Sequence, residues 1–317
     1  MPPPSPQALP ALLSKIRTIL PTTLPKSAAY ILSASTLTAL GHPNLLGPLF
    51  LHVTGHHHAN TTSTSSAPHQ SQAGPTAPPA SVSRPASPDE TRAISLHLRD
   101  LLLKEWTLIG IPLVITAVAS LGQAERAAGL FPAGTSTFAS PSQAPSPTAT
   151  SNENTPDQST AYPLGAAPTL SPRYASGDLD LTPASPLHAR GAAHVRTLYR
   201  QHLPAIMATW GSHEADFRWL EESVIYGVFL SNHTVLSDLE TSLVTASGIM
   251  VQGLKGPSLW HLRGLRRLGA SRADVEAVVR VVAECVKWAG GRVKGATGED
   301  GEAEAWVSWV GEVESEV

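Results

Sequence analysis

Apolar residues recur at helical spacing in most of the chain, and two long stretches carry no such pattern. The clearest run is 237–286, SDLETSLVTASGIMVQGLKGPSLWHLRGLRRLGASRADVEAVVRVVAECV. Leu239, Leu243, Ala246 and Met250 line one predicted helix, and Val275, Val278, Val279, Val282 and Val286 line another. Ser237 before Glu240 and Ser271 before Asp274 have the Ser-x-x-acid spacing of a capping box, in which hydroxyl and carboxylate satisfy N–H groups left unpaired in the first turn. Gly256-Pro257 separates the two and starts a helix between them, and Gly269 stands where a left-handed C-terminal cap is expected. Three helices on short turns are therefore predicted.

Upstream, Leu12–Leu20 predicts a short helix, and Lys26–Val53 predicts two more, broken at Gly41-His42-Pro43. Thr91–Gln123 presents Leu98, Leu101, Leu102 and Trp106 on one face, with a kink or restart expected at Pro112. Trp106–Ala124 is uncharged, yet it includes Thr107, Gly110, Pro112, Thr116, Ser120, Gly122 and Gln123. Its strictly apolar part is shorter than the ~20 residues a bilayer needs, so a buried core helix is predicted. Ala189–Trp210 resumes the pattern through Val195, Leu198, Leu203 and Ile206, limited by Pro204. Phe217–Leu230 follows with Phe217, Leu220, Val224 and Val228. Trp306, Val310 and Val313 predict a short helix docking on its own domain or on a neighbouring subunit, in an acidic tail that has no Lys or Arg after Lys294.

The expected fold class is all-α, one domain split by two inserts. Residues 1–54, 89–130 and 189–292 form its helical parts, 55–88 and 131–188 are disordered inserts, and 293–317 is the tail. The inserts are rich in Ser, Thr, Pro and Ala, which bury too little apolar surface to offset chain entropy. His56, His57 and His58 fall in the first insert. Adjacent imidazoles in a flexible segment do not converge, so no metal site is expected there.

Composition narrows the function classes. The 317 residues are 42% hydrophobic and 15% charged, with 28 Pro and a net charge of −3, which gives no footprint for nucleic acid or an anionic membrane. One cysteine, Cys285, excludes an intramolecular disulfide framework. There is no phosphate-binding glycine loop and no paired Cys/His zinc spacing, so no cofactor and no metal are expected. The first 88 residues lack any acid and carry Lys15, Arg17, Lys26 and Arg84, in part like an organelle transit composition. The opening MPPPSPQALP makes a poor amphipathic helix, so a cytoplasmic location is expected, with mitochondrial import the alternative. No secretory signal or peroxisomal ending is visible.

Trp260-His261-Leu262-Arg263-Gly264, then Leu268-Gly269-Ala270-Ser271 and Asp274-Val275, together resemble the carboxymuconolactone decarboxylase and alkylhydroperoxidase D superfamily over about Tyr226–Val286. The string RDLLLKEWTLIGIPLVITAV resembles the first conserved helical region of its eukaryotic members. The resemblance implies an all-α homo-oligomer acting on a small molecule. The peroxidase branch of that family uses a Cys-x-x-Cys pair and an upstream Glu. With His261 on the family His, those positions hold Leu254, Pro257 and Ser242, and Cys285 sits among valines as a core residue. The resemblance to the decarboxylase branch implies a cofactor-independent lyase acting on a small carboxylated or lactone substrate, with His261 as acid–base. Arg263 is the candidate for a substrate carboxylate, although two residues along a helix it points to a different side from His261. Either Glu221 or Glu222 is in position to face a pocket containing His261. Glu222, in a Glu-then-Tyr-Gly arrangement like that of relatives, is the second catalytic candidate, whereas Glu240 is accounted for by its cap. The alternatives are a peroxidase, against which the missing cysteines stand, and a non-catalytic oligomeric scaffold.

Overall fold

The computed structural model describes residues 4–56, 85–130, 180–292 and 302–314, and every regular element among them is helical. The two expected inserts, His57 and His58 among them, lie largely outside the described residues, and helices begin at Pro88 and Pro186, inside the expected insert bounds. In chain order come α1 (Leu9–Ile19), α2 (Ala28–Ala39), α3 (Leu46–Thr54), α4 (Pro88–Ile109), α5 (Ile111–Ala127) and α6 (Pro186–Tyr199). There follow α7 (Leu203–Ala208), α8 (Glu214–Trp219), a π-helix (Leu220–Leu230), α9 (Asp238–Met250), α10 (Lys255–Arg267), α11 (Arg272–Trp288) and α12 (Glu302–Glu314).

Helix α9 is the centre of the packing, against α2, α4, α10 and α11. Every residue from Glu240 to Met250 is buried, as is every residue from Ala28 to Thr38 in α2. Both are crowded on all sides, and both are rich in Ala, Ser and Thr. Small side chains let the two axes approach, and each buried hydroxyl needs a partner. Ser33, Thr38 and Ser247 donate to the carbonyl one turn back, and Ser247 Oγ also lies 2.9 Å from Ser35 Oγ, which donates to Glu105 at 2.8 Å. Burial holds the Glu105 carboxyl well above the usual carboxylate range. Fully buried Lys104 is neutralised by Asp100 at 3.0 Å and donates to Thr241 at 2.7 Å.

The caps fall where the serines predict them. Ser237 and Ser271 both close full capping boxes, with Glu240 and Asp274 respectively. Helix α10 ends in a Schellman pair, Ala270 N–H to Leu265 O and Gly269 N–H to Arg266 O, with Gly269 at φ 98°. Pro112 restarts the chain: α4 stops at Ile109, Gly110 takes φ 85°, and α5 begins with the proline in its first turn. The tail helix α12 docks Trp306, Val310 and Val313 onto α10 and α11.

One expectation needs correction. Helix α5 is not a buried core helix throughout: Val114, Ala117 and Leu121 face the core, whereas Ile111, Ile115 and Val118 are 48%, 60% and 52% exposed. No described helix is long and apolar enough to cross a membrane.

Helices α6 and α7 and the π-helix form a second small core of Val195, Leu198, Leu203, Tyr226 and Leu230 beside the main one. Helix α6 and the π-helix touch backbone to backbone. A Cβ on Gly191 would overlap the Glu222 carbonyl oxygen and stand 2.6 Å from the Gly227 nitrogen, so only glycine allows the approach. The wide turn is recorded in Ser231 N–H bonding to Tyr226 O, five residues back, at 2.9 Å. Long π-helices are uncommon, and this one presses between the two cores.

Candidate functional site

A cavity of about 240 Å³ lies between the two cores. Its floor comes from α10, which supplies Pro257, Trp260 and His261, and from Ile249 of α9. One wall is Val195 and Tyr199 of α6, and the other is Glu221, Ile225, Tyr226 and Leu230 of the π-helix. Leu203, Ile206 and Met207 of α7 close it with Thr107, Leu108 and Trp210.

Its polar groups are few and connected. The Tyr199 hydroxyl lies 3.0 Å from the Tyr226 hydroxyl and 3.1 Å from His261 Nε2, so the three side chains form one hydrogen-bonded chain. The His261 ring packs edge-on against Tyr199 at 5.7 Å between centroids, which fixes its orientation. Burial, with a smaller contribution from His194, pushes the His261 imidazole down to about 4, so it is neutral at pH 7. Burial raises both phenols, which therefore keep their protons. Burial also pushes the Glu221 carboxyl up to about 7. A carboxyl poised there exchanges a proton in either direction near neutral pH.

The residues expected from the sequence separate in space. His261 is in the cavity, 5% exposed. Arg263 is buried on another side of α10, where its guanidinium donates to the Glu312 carbonyl of α12 at 3.3 Å, and it does not line the cavity. Glu222 also lies outside the lining. It is buried beside Arg218 Nε at 3.0 Å and His188 Nε2 at 3.6 Å, on the α6 and α8 side of the π-helix. Of the two glutamates it is Glu221 that reaches the cavity, because the wide π turn sets which one faces inward. Glu240 accepts from Ser27 and Ser237 in its cap. Cys285 is fully buried, and burial pushes its thiol up to about 12, so little thiolate forms near neutral pH. Tyr199 and Tyr226 were not singled out as site residues by sequence reasoning. Their spacing marks them only as helix residues, 27 positions apart.

No Lys or Arg stands among the lining residues. The cavity therefore offers apolar walls, two phenols, a neutral imidazole and one titratable acid, a set suited to an uncharged ligand with a polar oxygen. Comparison of the chain with protein-family models, with curated proteins and with solved structures finds no match in any of the three.

Proposed function

We propose that the protein is an acid–base enzyme that moves a proton at a carbon next to the carbonyl of a small, mostly apolar and uncharged compound, with a lactone as the representative substrate. The observation that carries this reading is the convergence of the Tyr226–Tyr199–His261 chain and the near-neutral Glu221 on one apolar cavity. In the productive direction His261 Nε2–H donates to Tyr199 and Tyr199 donates to Tyr226. The Tyr226 proton is then left for the substrate oxygen, where negative charge develops as the carbon loses its proton. Glu221 takes that proton as carboxylate and returns it as acid. Surrounding apolar side chains lower the local dielectric and strengthen both interactions.

This reading keeps the cofactor-independent acid–base chemistry and the lactone half of the substrate range implied by the family resemblance, but it breaks no bond to carbon other than C–H and moves the acid–base role from His261 to Glu221. The carboxylated half loses its support, since Arg263 is turned toward α12 and a substrate carboxylate would meet Glu221 without a cation. The test is a thermal-shift screen of lactones, cyclic ketones, small carboxylates and hydroperoxides on the wild type and on His261→Gln. Hits are then followed by exchange of the carbonyl-adjacent proton with deuterated water. Lactones or ketones are expected to stabilise the wild type and to exchange in a manner dependent on Glu221. Stabilisation by carboxylates alone, or exchange unchanged in Glu221→Gln, rejects the reading.

A further inference from the structure

Behind the Tyr226 wall of the cavity, three ligand-type side chains meet that the sequence holds far apart. His194 comes from the middle of α6, His233 from the turn after the π-helix, and Asp238 from the first turn of α9. Asp238 Oδ1 lies 3.7 Å from His194 Nδ1 and 3.7 Å from His233 Nε2, and all three atoms fall within 4.8 Å of one another. Asp238 Oδ1 is buried and receives no hydrogen bond, an arrangement that leaves a carboxylate oxygen without compensation. His194 is 8% exposed, whereas the side chains of His233 and Asp238 are 28% and 39% exposed, so solvent and ions reach the cluster from one side.

We propose that His194 Nδ1, His233 Nε2 and Asp238 Oδ1 bind one divalent first-row transition ion of the zinc class, clamping α6 to the start of α9. Imidazole nitrogen with one carboxylate suits such ions, and three protein ligands leave a position for water. Bonds of about 2.0–2.2 Å in tetrahedral geometry set donor atoms about 3.3–3.5 Å apart. The two 3.7 Å pairs therefore need to close by a few tenths of an ångström, and the two imidazole nitrogens, bounded at 4.8 Å, by up to about 1.5 Å, which side-chain rotation of the partly exposed His233 supplies. Two features oppose binding and set what must change. His233 Nε2 stands 3.1 Å from the Leu230 carbonyl, so the ring must carry its proton on Nδ1 when it ligates. The Lys104 and Arg190 cations also face the cluster. Lys104 is matched by the Asp100 carboxylate at 3.0 Å, and Arg190 is engaged by Ser231 and the Gly227 carbonyl.

The experiment titrates Co²⁺ into the EDTA-treated, dialysed full chain, following its visible absorption, and then adds Zn²⁺ in competition. The same titration is run on Asp238→Asn and His194→Gln. Asp238→Asn keeps the shape of the carboxylate and reports even if His194→Gln misfolds. The expected result is a tightly bound Co²⁺ that Zn²⁺ displaces in the wild type and that Asp238→Asn loses, with Zn²⁺ raising the melting temperature of the wild type alone. Any Co²⁺ taken up by the His56–His58 run is common to wild type and variants, so the difference between them decides. Equal stoichiometry and equal Zn²⁺ stabilisation in wild type and Asp238→Asn overturn the proposal, as does a wild type that binds no Co²⁺.

Discussion

Replacing Glu221 by Gln gives a direct test of the near-neutral carboxyl. The folded protein holds this proton up to about 7, whereas the unfolded chain releases it near the ordinary 4.5. Because the folded state binds more protons in that interval, the contribution of Glu221 to wild-type stability is fullest below about 4.5, falls as pH rises toward 7, and levels off above. The gap corresponds to about 3 kcal/mol at about 1.4 kcal/mol for each tenfold change in proton affinity. Glu221 keeps some contact with solvent, so about 2–3 kcal/mol is the expectation. Gln has nearly the shape of the protonated acid and does not ionise. The stability of Glu221→Gln relative to wild type should therefore rise by that amount between pH 4.5 and pH 8. In urea melts at fixed ionic strength this is a relative midpoint shift of about 1 M. His261, which titrates below its usual range in the folded protein, is present in both proteins and cancels in the difference. Two stability curves that run parallel across the interval would refute the assignment of a raised carboxyl, and with it the proton-transfer role.

Three further outcomes follow from the packing. Gly191→Ala puts a methyl group into the Glu222 carbonyl and the Gly227 nitrogen, neither of which is able to swing aside. A loss of about 3 kcal/mol in urea denaturation is expected, and a loss under about 1 kcal/mol would mean that α6 and the π-helix are not in backbone contact. Lys104→Met strands the buried Asp100 charge and should cost about 3–5 kcal/mol. Adding Asp100→Asn should recover much of it, and strictly additive losses in the double variant would contradict a buried ion pair. Cys285 should resist an aromatic disulfide reagent in native buffer and react only as the chain unfolds. Prompt native-state reaction would reopen the peroxidase alternative.

What the sequence determined by itself is local. Ser237 with Glu240 and Ser271 with Asp274 begin helices because each hydroxyl and carboxylate serves N–H groups within the same turn, whatever surrounds them. Gly269 and Pro112 act within one or two residues in the same way. The valine stripe of α11, with Cys285 beside it, is likewise legible as a core face, and so is the docking face of α12. His261 was singled out by the string around it, and it lines the cavity.

Tertiary structure decided the rest. A helical period does not announce a π turn, so it leaves Glu221 and Glu222 equivalent, and the wider backbone sends one to the cavity and the other to Arg218 and His188. Tyr199 and Tyr226 meet only because Gly191 lets their helices touch. His194, His233 and Asp238 belong to three segments and meet only when α6 packs against the π-helix and the start of α9. Arg263 turns from the cavity because α12, an element remote in sequence, offers its guanidinium the Glu312 carbonyl. Caps and stripes are short-range and survive in any fold, whereas a site is a coincidence of distant side chains, and packing alone brings them together.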